Sequence, residues 1–148
     1  MSVEIEELQL ILCDSASGDP TGKIHMLGAG WSMTGTPTAP HAVVVMFTFP
    51  HDHAGRKLSL QLSLVDDDGE PVVVGPADQA APITVQGSVE VPARPDVPDD
   101  LPLGTNFTLA VGPMPLPEGR YQWRLDVEGH TKAVRFAVLS PPQKGAPA

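Results

Sequence analysis

The residues in this chain with the clearest chemical potential are His51, Asp52 and His53, which directly follow an apolar segment ending at Pro50. In an extended segment, residues two apart project to the same side, so both imidazoles could bind one zinc, iron or copper ion. A polar loop between two strands accounts for the same residues, and we favour that interpretation, which includes no cofactor. His51 and His53 are retained as candidate metal ligands.

Trp31 is the aromatic residue best suited to a ligand platform, because it directly follows Gly28, Ala29 and Gly30. Two glycines so close together in a strand-like segment indicate a bulge or a bend. A tryptophan beside a bend can be exposed, and sandwiches that bind carbohydrate need exposed aromatic rings as platforms. Trp31 is therefore a candidate ligand- or carbohydrate-binding residue.

The sequence contains no convincing catalytic signature. No serine lies in a G-x-S-x-G segment, and the only cysteine, Cys13, lies in an apolar stretch where a thiol is expected to pack rather than react. The glycine-rich segment around Gly28 has no Lys-Ser or Lys-Thr pair with which to bind phosphate. We therefore predict no catalytic residue and a protein that is not an enzyme.

Charge and composition argue against further classes of function. Eighteen acidic and nine basic residues give a net charge of −9, which repels nucleic acids and anionic lipids. No apolar run reaches the roughly 18 residues that span a bilayer, and the acidic N-terminal segment is unlike a secretory signal. The single cysteine cannot form an internal disulfide, so a reducing cytoplasm is the expected location. We predict no nucleic-acid partner and no membrane association.

Hydrophobic periodicity predicts β-strands along the chain and no convincing helix. Leucines at positions 58, 60, 62 and 64 alternate with polar residues, which is typical of a strand with one buried face. The segment from Val43 to Phe49 is apolar at nearly every position and predicts a central strand. Further strands are predicted at residues 5–14, 22–34, 71–74, 83–91 and 106–111.

The segment from Leu116 to Val138 predicts an antiparallel hairpin, because two alternating runs flank a reversal that contains a glycine. A two-residue loop that begins at Gly129 pairs Leu125 with Val134 and places apolar residues opposite each other. A loop that begins one residue earlier pairs Leu125 with Lys132. We favour the first register, in which the tryptophan of this segment faces the core.

The chain length and the strand pattern together predict the architecture. At 148 residues the chain fits one domain, assigned to residues 1–139, and residues 140–148 are predicted to form a disordered C-terminal tail. Eight or nine short strands with frequent turns indicate an all-β fold, an antiparallel β-sandwich, with a closed barrel as the alternative. Residues 116–121 (LPEGRY) also resemble the approach to a tyrosine corner, in which the Tyr121 phenol bonds back to nearby backbone.

Four segments resemble a family of small uncharacterised bacterial proteins: LILCD from Leu10, GKIHMLGAGW from Gly22, LVDDDGEPV from Leu64 and LPEGRYQWRLDVEG from Leu116. The resemblance covers nearly everything up to about residue 139. It implies a bacterial, cytoplasmic protein with an Ig-like β-sandwich. The family has no established activity, so the resemblance implies no functional residue.

The functional hypothesis that follows is a non-catalytic β-sandwich that acts as an interaction or assembly module. Its contact surface is expected at loops or at an open sheet edge, with a protein partner or self-association. The first alternative is a metal-binding protein or a small metal-dependent enzyme that uses His51 and His53. The second is a carbohydrate- or ligand-binding module that uses Trp31.

Overall fold

The structure is a computed structural model that describes residues 3–140. Within this range the chain forms twelve strands and one turn of 3₁₀ helix at His51–His53. The predicted tail, residues 140–148, lies outside the described residues except for Ser140. The strands are β1 (Glu7–Cys13), β2 (Ser15–Gly18), β3 (Ile24–Leu27), β4 (Met33–Thr34), β5 (His41–Phe49), β6 (Lys57–Asp66), β7 (Val73–Val74), β8 (Ala81–Pro82), β9 (Thr84–Glu90), β10 (Leu103–Val111), β11 (Gly119–Val127) and β12 (His130–Val138).

Two sheets pack face to face around one main core. The first sheet has the strand order β1-β5-β10, and the second has the order β4-β12-β11-β6-β9. Two small hairpins, β2–β3 and β7–β8, are attached to them, and every pairing is antiparallel except the parallel contact of β4 with β12. The predicted antiparallel β-sandwich is confirmed. The strand number exceeds the prediction because several strands are only two to four residues long.

Strand β5 is buried on both of its faces, as expected for a central strand. Its inward side chains include Val45 and Phe47, which belong to the main core between the sheets. Its outward side chains Ala42 and Val44 form a second, smaller cluster with Cys13. The β2–β3 hairpin folds over this outer face and contributes its own apolar side chains to the cluster.

The segment predicted as a single strand from residue 22 to residue 34 is instead split into β3 and β4. Gly28 and Gly30, which separate the two strands, both adopt positive φ, at 66° and 90°. This backbone conformation turns the chain away from the first sheet and toward the edge of the second. The bend predicted at these glycines is therefore present, and it divides the strand completely.

The second sheet supplies the other half of the main core. The four alternating leucines of β6 are all buried, as the periodicity predicted, and each contributes about 1.5–3 kcal/mol of hydrophobic stabilisation. Trp123 on β11 faces inward and is 1% exposed. Gly87 on β9 faces the ring of Phe107 on the opposite sheet. A Cβ added at Gly87 would lie 2.9 Å from that ring, so the glycine allows the two sheets to approach closely here.

The predicted register of the β11–β12 hairpin is wrong. The loop consists of Glu128 and Gly129, and Leu125 lies opposite Lys132 rather than Val134. Both loop residues have positive φ, 46° and 86°, which is the combination that a type I′ turn requires. This turn follows the right-handed twist of the two strands.

Two features explain why the apolar pairing rule failed at this hairpin. Leu125 is completely buried because its other neighbour, Leu62 on β6, lies in the core, so it needs no apolar partner on β12. Lys132 is exposed near the tip of the hairpin, beyond that core. In addition, a carboxylate oxygen of Glu128 accepts a hydrogen bond from the Ser59 backbone N–H at 3.0 Å, which connects the turn to β6.

The tyrosine corner is present as the sequence predicted. The Tyr121 hydroxyl donates a hydrogen bond to the backbone carbonyl of Pro117, four residues earlier, at 2.7 Å. The ring stacks on Phe136 at a centroid distance of 5.8 Å, and burial raises the pKa of the phenol. This bond holds the entry into β11 against the end of the sandwich.

Replacing Tyr121 with phenylalanine should lower the free energy of unfolding by about 1–2 kcal/mol, because the Pro117 carbonyl loses its donor in a partly buried position. Urea denaturation followed by tryptophan fluorescence measures this change. Ser88→Ala removes an exposed hydroxyl from β9 and is the control, with an expected change within about 0.5 kcal/mol. Equal stability of Tyr121→Phe and the unmodified protein would contradict the prediction.

Candidate functional site

His51 and His53 lie in the 3₁₀ turn, so the predicted projection from an extended segment is wrong. The His51 imidazole donates from Nε2 to the Val97 carbonyl at 3.0 Å. The His53 ring is buried, with Nδ1 donating to the Asp52 carboxylate at 2.7 Å and Nε2 accepting the Glu4 backbone N–H at 3.0 Å. Both nitrogens of His53 are thus engaged by the protein itself.

These contacts show that each of the two histidines connects the turn after β5 to a distant segment of the chain. His53 fixes the N-terminal segment to the turn after β5, and His51 fixes the proline-rich segment between β9 and β10 to the same turn. A metal ion bound at His53 would have to displace the Glu4 N–H from Nε2. Between residues 3 and 140, no three His, Cys, Asp or Glu side chains lie together in a way that could hold a metal ion.

Trp31 is partly buried and packs against the main core. Its ring makes edge contacts with His41 and Phe136, at centroid distances of 5.1 and 5.5 Å. The indole N–H is withdrawn from solvent and has no hydrogen-bond partner among the described residues. The ring therefore helps to close the end of the sandwich, and binding of a sugar at Trp31 stays a prediction.

His41 lies at the centre of this aromatic cluster. Its Nδ1 donates to the Ala39 carbonyl at 3.0 Å, and its Nε2 accepts the indole N–H of Trp123 at 3.2 Å. Burial lowers the pKa of the imidazole, and the smaller effect of the Ala39 carbonyl opposes it. The neutral ring bonds to the Ala39 backbone and to the buried indole of Trp123, and sequence reasoning missed this role because His41 directly precedes the apolar run of β5.

The long edge of β12 is one of the sheet edges that the fold leaves available for another strand, and β1, β9 and β10 also lie at edges. Its partner β4 covers only Ala137 and Val138, where the Ala137 N–H donates to the Ser32 carbonyl. Backbone groups of alternate residues point to the same side of an antiparallel strand. The N–H and C=O groups of Arg135, Ala133 and Thr131 therefore point outward along the edge, and all three residues are exposed.

Basic residues surround this edge, whereas the protein as a whole is acidic. Four of the nine basic residues lie on the β11–β12 hairpin, on a chain with a net charge of −9. Beside the edge lies a shallow depression of about 450 Å³, which is flanked by the exposed apolar side chains of Met33 and Leu139. The basic residues of the hairpin are Arg120, Arg124, Lys132 and Arg135.

One sequence signal points to this edge. The last strand, HTKAVRFAV, carries Lys132 and Arg135 among its alternating residues, and basic residues within a strand are typical of sheet edges. Of these two, Arg135 forms an ion pair with Asp67 at the β6–β7 turn. The composition could therefore have located the edge, but only the sheet order shows that β12 has a free side.

Comparison with known families matched residues 8–138 to a family of unknown function, DUF6941, and the chain belongs to that family. No curated protein matched the chain. In the part of the chain that the structure describes, no helix is long and apolar enough to cross a membrane. The family match accordingly identifies the relatives of this protein without assigning them an activity.

Replacing His53 with alanine should lower the free energy of unfolding by about 1–3 kcal/mol, even in chelator-treated buffer, because the Glu4 N–H loses its buried acceptor. Thermal and urea denaturation measure the change. His51→Ala is the matched control and should cost less, since its ring is only partly buried. A protein that holds about one equivalent of zinc, and loses stability when chelator removes it, would instead support the metal-site hypothesis.

The His41 imidazole should make stability depend on pH in a defined direction. Because its pKa is lowered in the folded protein, the unfolded chain binds a proton that the native state excludes. The free energy of unfolding should be fully retained above the ordinary histidine pKa of about 6.5 and fall as the pH drops below it. Urea denaturation between pH 5 and 8 should show a weaker decline in His41→Phe, whereas His25→Gln should keep it. An unchanged decline in His41→Phe would refute this role.

Proposed function

We propose that this member of the DUF6941 family is a non-catalytic interaction module that binds an extended segment of a partner protein along the open edge of β12. The observation that supports the proposal is the row of outward backbone groups at Thr131, Ala133 and Arg135, which β4 leaves without a strand partner. An added strand would supply the missing hydrogen bonds, as in other cases of β-strand addition.

The charges around the edge favour an acidic partner segment. Arg124 and Lys132 are exposed beside the free edge, and Arg120 lines the depression at its far end. Carboxylates on the outer face of an added strand would lie opposite or diagonal to Arg135 on β12, where opposite charges stabilise a cross-strand pair by about 0.2–1 kcal/mol, while Arg120 and Arg124 lie on the same face one strand further away. The same cations disfavour a second copy of β12, because like charges would then meet across the edge.

Apolar contacts next to the edge add a reason for a partner to bind at this position. Met33 is 65% exposed and Leu139 is 44% exposed, and both flank the depression next to Arg135. Side chains on an added strand alternate between the two faces of the sheet. A segment with an apolar residue at its end and acidic residues along one face would complement the edge.

The proposal is tested by removing one outward N–H without removing a bond to β11. Ala133→Pro does this, because proline lacks the N–H and is tolerated where that group faces solvent on an edge strand. Ala133→Val keeps the N–H and is the matched control. The probe is a synthetic decapeptide of alternating valine and glutamate, and its counterpart has lysine in place of glutamate.

Only the glutamate peptide should bind in a fluorescence anisotropy titration, and the amides of Thr131, Ala133 and Arg135 should gain protection from hydrogen exchange. Ala133→Pro should abolish binding, and Ala133→Val should retain it. Equal binding of both peptides, or binding unaffected by Ala133→Pro, would refute the proposal. A dimer in light scattering that Ala133→Pro dissociates would show that a second copy occupies the edge.

A further inference from the structure

A cleft on the outer face of the first sheet has the features of a ligand site, and it lies apart from the β12 edge. The β2–β3 hairpin covers only the part of that face near Ala42 and Val44. Past the end of the hairpin, two rows of side chains are only partly covered. These rows form the floor of the cleft and run across the three strands as Gln9, Met46 and Asn106 and as Glu7, Thr48 and Gly104.

One wall of the cleft is the tip of the β2–β3 hairpin, whose shape is fixed by Asp19. The Asp19 carboxylate accepts hydrogen bonds from the hydroxyl and the N–H of Thr21 and from the N–H of Lys23. The Thr21 hydroxyl, and then the His25 imidazole, hold the pKa of Asp19 well below its usual range. Rigid local bonding of this kind places Lys23 at the rim before any ligand arrives.

The hairpin tip is also attached to the sheet beneath it. The Asn106 side-chain amide donates a hydrogen bond to the Gly22 carbonyl at 2.8 Å. A second wall carries Arg94, from the segment between β9 and β10, and Arg94 lies 3.5 Å from the Asp96 carboxylate. Gly104 has no side chain, so the floor stays open between these walls.

The cleft has a volume of about 550 Å³, which is within the range of small-molecule sites. The charged residues that line the cleft are separated by sign. Lys23 and Arg94 lie on the side of β10, and Glu7 lies on β1, with β5 between the two strands. Since neighbouring strands are about 4.8 Å apart, the strands that bear the two charge types are separated by roughly 10 Å.

Two polar atoms of the floor lack hydrogen-bond partners among the described residues. They are the Thr48 hydroxyl oxygen and the side-chain carbonyl oxygen of Asn106, and both are withdrawn from solvent. Buried polar groups are almost always paired, so two unpaired atoms in one cleft require an explanation. Because both atoms are covered in this structure, a ligand reaches them only when neighbouring side chains shift, and its N–H or O–H donors would then satisfy the Asn106 oxygen and bond with the Thr48 hydroxyl.

We propose that this cleft binds a zwitterionic small molecule with its anionic and cationic ends about 10 Å apart, for which a free tripeptide is the simplest example. The ligand carboxylate lies between Lys23 and Arg94, and the ammonium group lies at Glu7. The backbone amides of the ligand reach Asn106 and Thr48 on the floor. The site does not depend on strand addition at β12, because it lies on the other sheet.

The test is an NMR titration of the full ¹⁵N-labelled chain with trialanine, its C-terminal amide and its N-acetyl form. Trialanine should shift the amides of Gly22, Gly104 and Asn106, and each blocked peptide should bind about three- to tenfold more weakly. Arg94→Gln should remove the preference for the free carboxylate. Glu7→Gln should remove the preference for the free ammonium group. Lys57→Gln, an exposed charge change on the other sheet, is the control and should preserve both preferences.

Thr48→Val separates ligand binding from folding. The substitution removes an unpaired buried hydroxyl, so it should leave stability unchanged or increase it, while trialanine binding should weaken. Absence of localised shifts up to about 10 mM peptide would overturn the proposal. So would equal binding of the free and blocked peptides, or preferences that survive Arg94→Gln and Glu7→Gln.

Discussion

Two-sided burial of β5 is the constraint on which the rest of this fold depends. A strand with valine and phenylalanine on one face and alanine and valine on the other needs cover on both sides. The second sheet covers the inner face, and the β2–β3 hairpin has to cover the outer one. The hairpin strands are only four residues long, against nine in β5, so part of the outer face is left open as the cleft.

Histidine side chains hold together the segments that the sheets do not pair. His53 bonds to the Glu4 N–H and His130 to the Val3 carbonyl, so two imidazoles fix the N-terminal segment across the sandwich. His51 bonds to Val97 in the proline-rich crossover, and His41 joins the backbone at Ala39 to the indole of Trp123. In each case, a hydrogen bond fixes the position of a loop or terminal segment that packing alone would not hold in place.

The fold was more predictable from the sequence than the site, for a physical reason. Alternation and apolar runs report burial, and they correctly located β5, β6 and the buried Trp123. The hairpin register was mispredicted because it depends on the conformation of the turn and on the pairing of β11 with β6. The alternation of apolar residues within the two hairpin strands carries no information about either.

The candidate sites were harder to predict because each combines residues that are distant in the sequence. The cleft brings together Glu7, Lys23, Thr48 and Arg94, which share no motif and meet only through the strand order. The His-Asp-His pattern drew attention because its residues are adjacent, and the structure shows these imidazoles bonded to backbone segments far along the chain. Proximity in sequence was thus a poor guide to the surfaces that remain available.

The positions of the charged residues indicate more about function than the net charge does. A net charge of −9 disfavours binding of polyanions such as nucleic acids, because their many phosphates interact with the charge of the whole protein. A short ligand or a single strand senses mainly the charges within about 8–10 Å, because salt screens the rest. Six of the nine basic residues lie on the β11–β12 hairpin or at the rim of the cleft. The two proposed sites therefore place cations within reach of a short anionic ligand, although the chain as a whole is acidic.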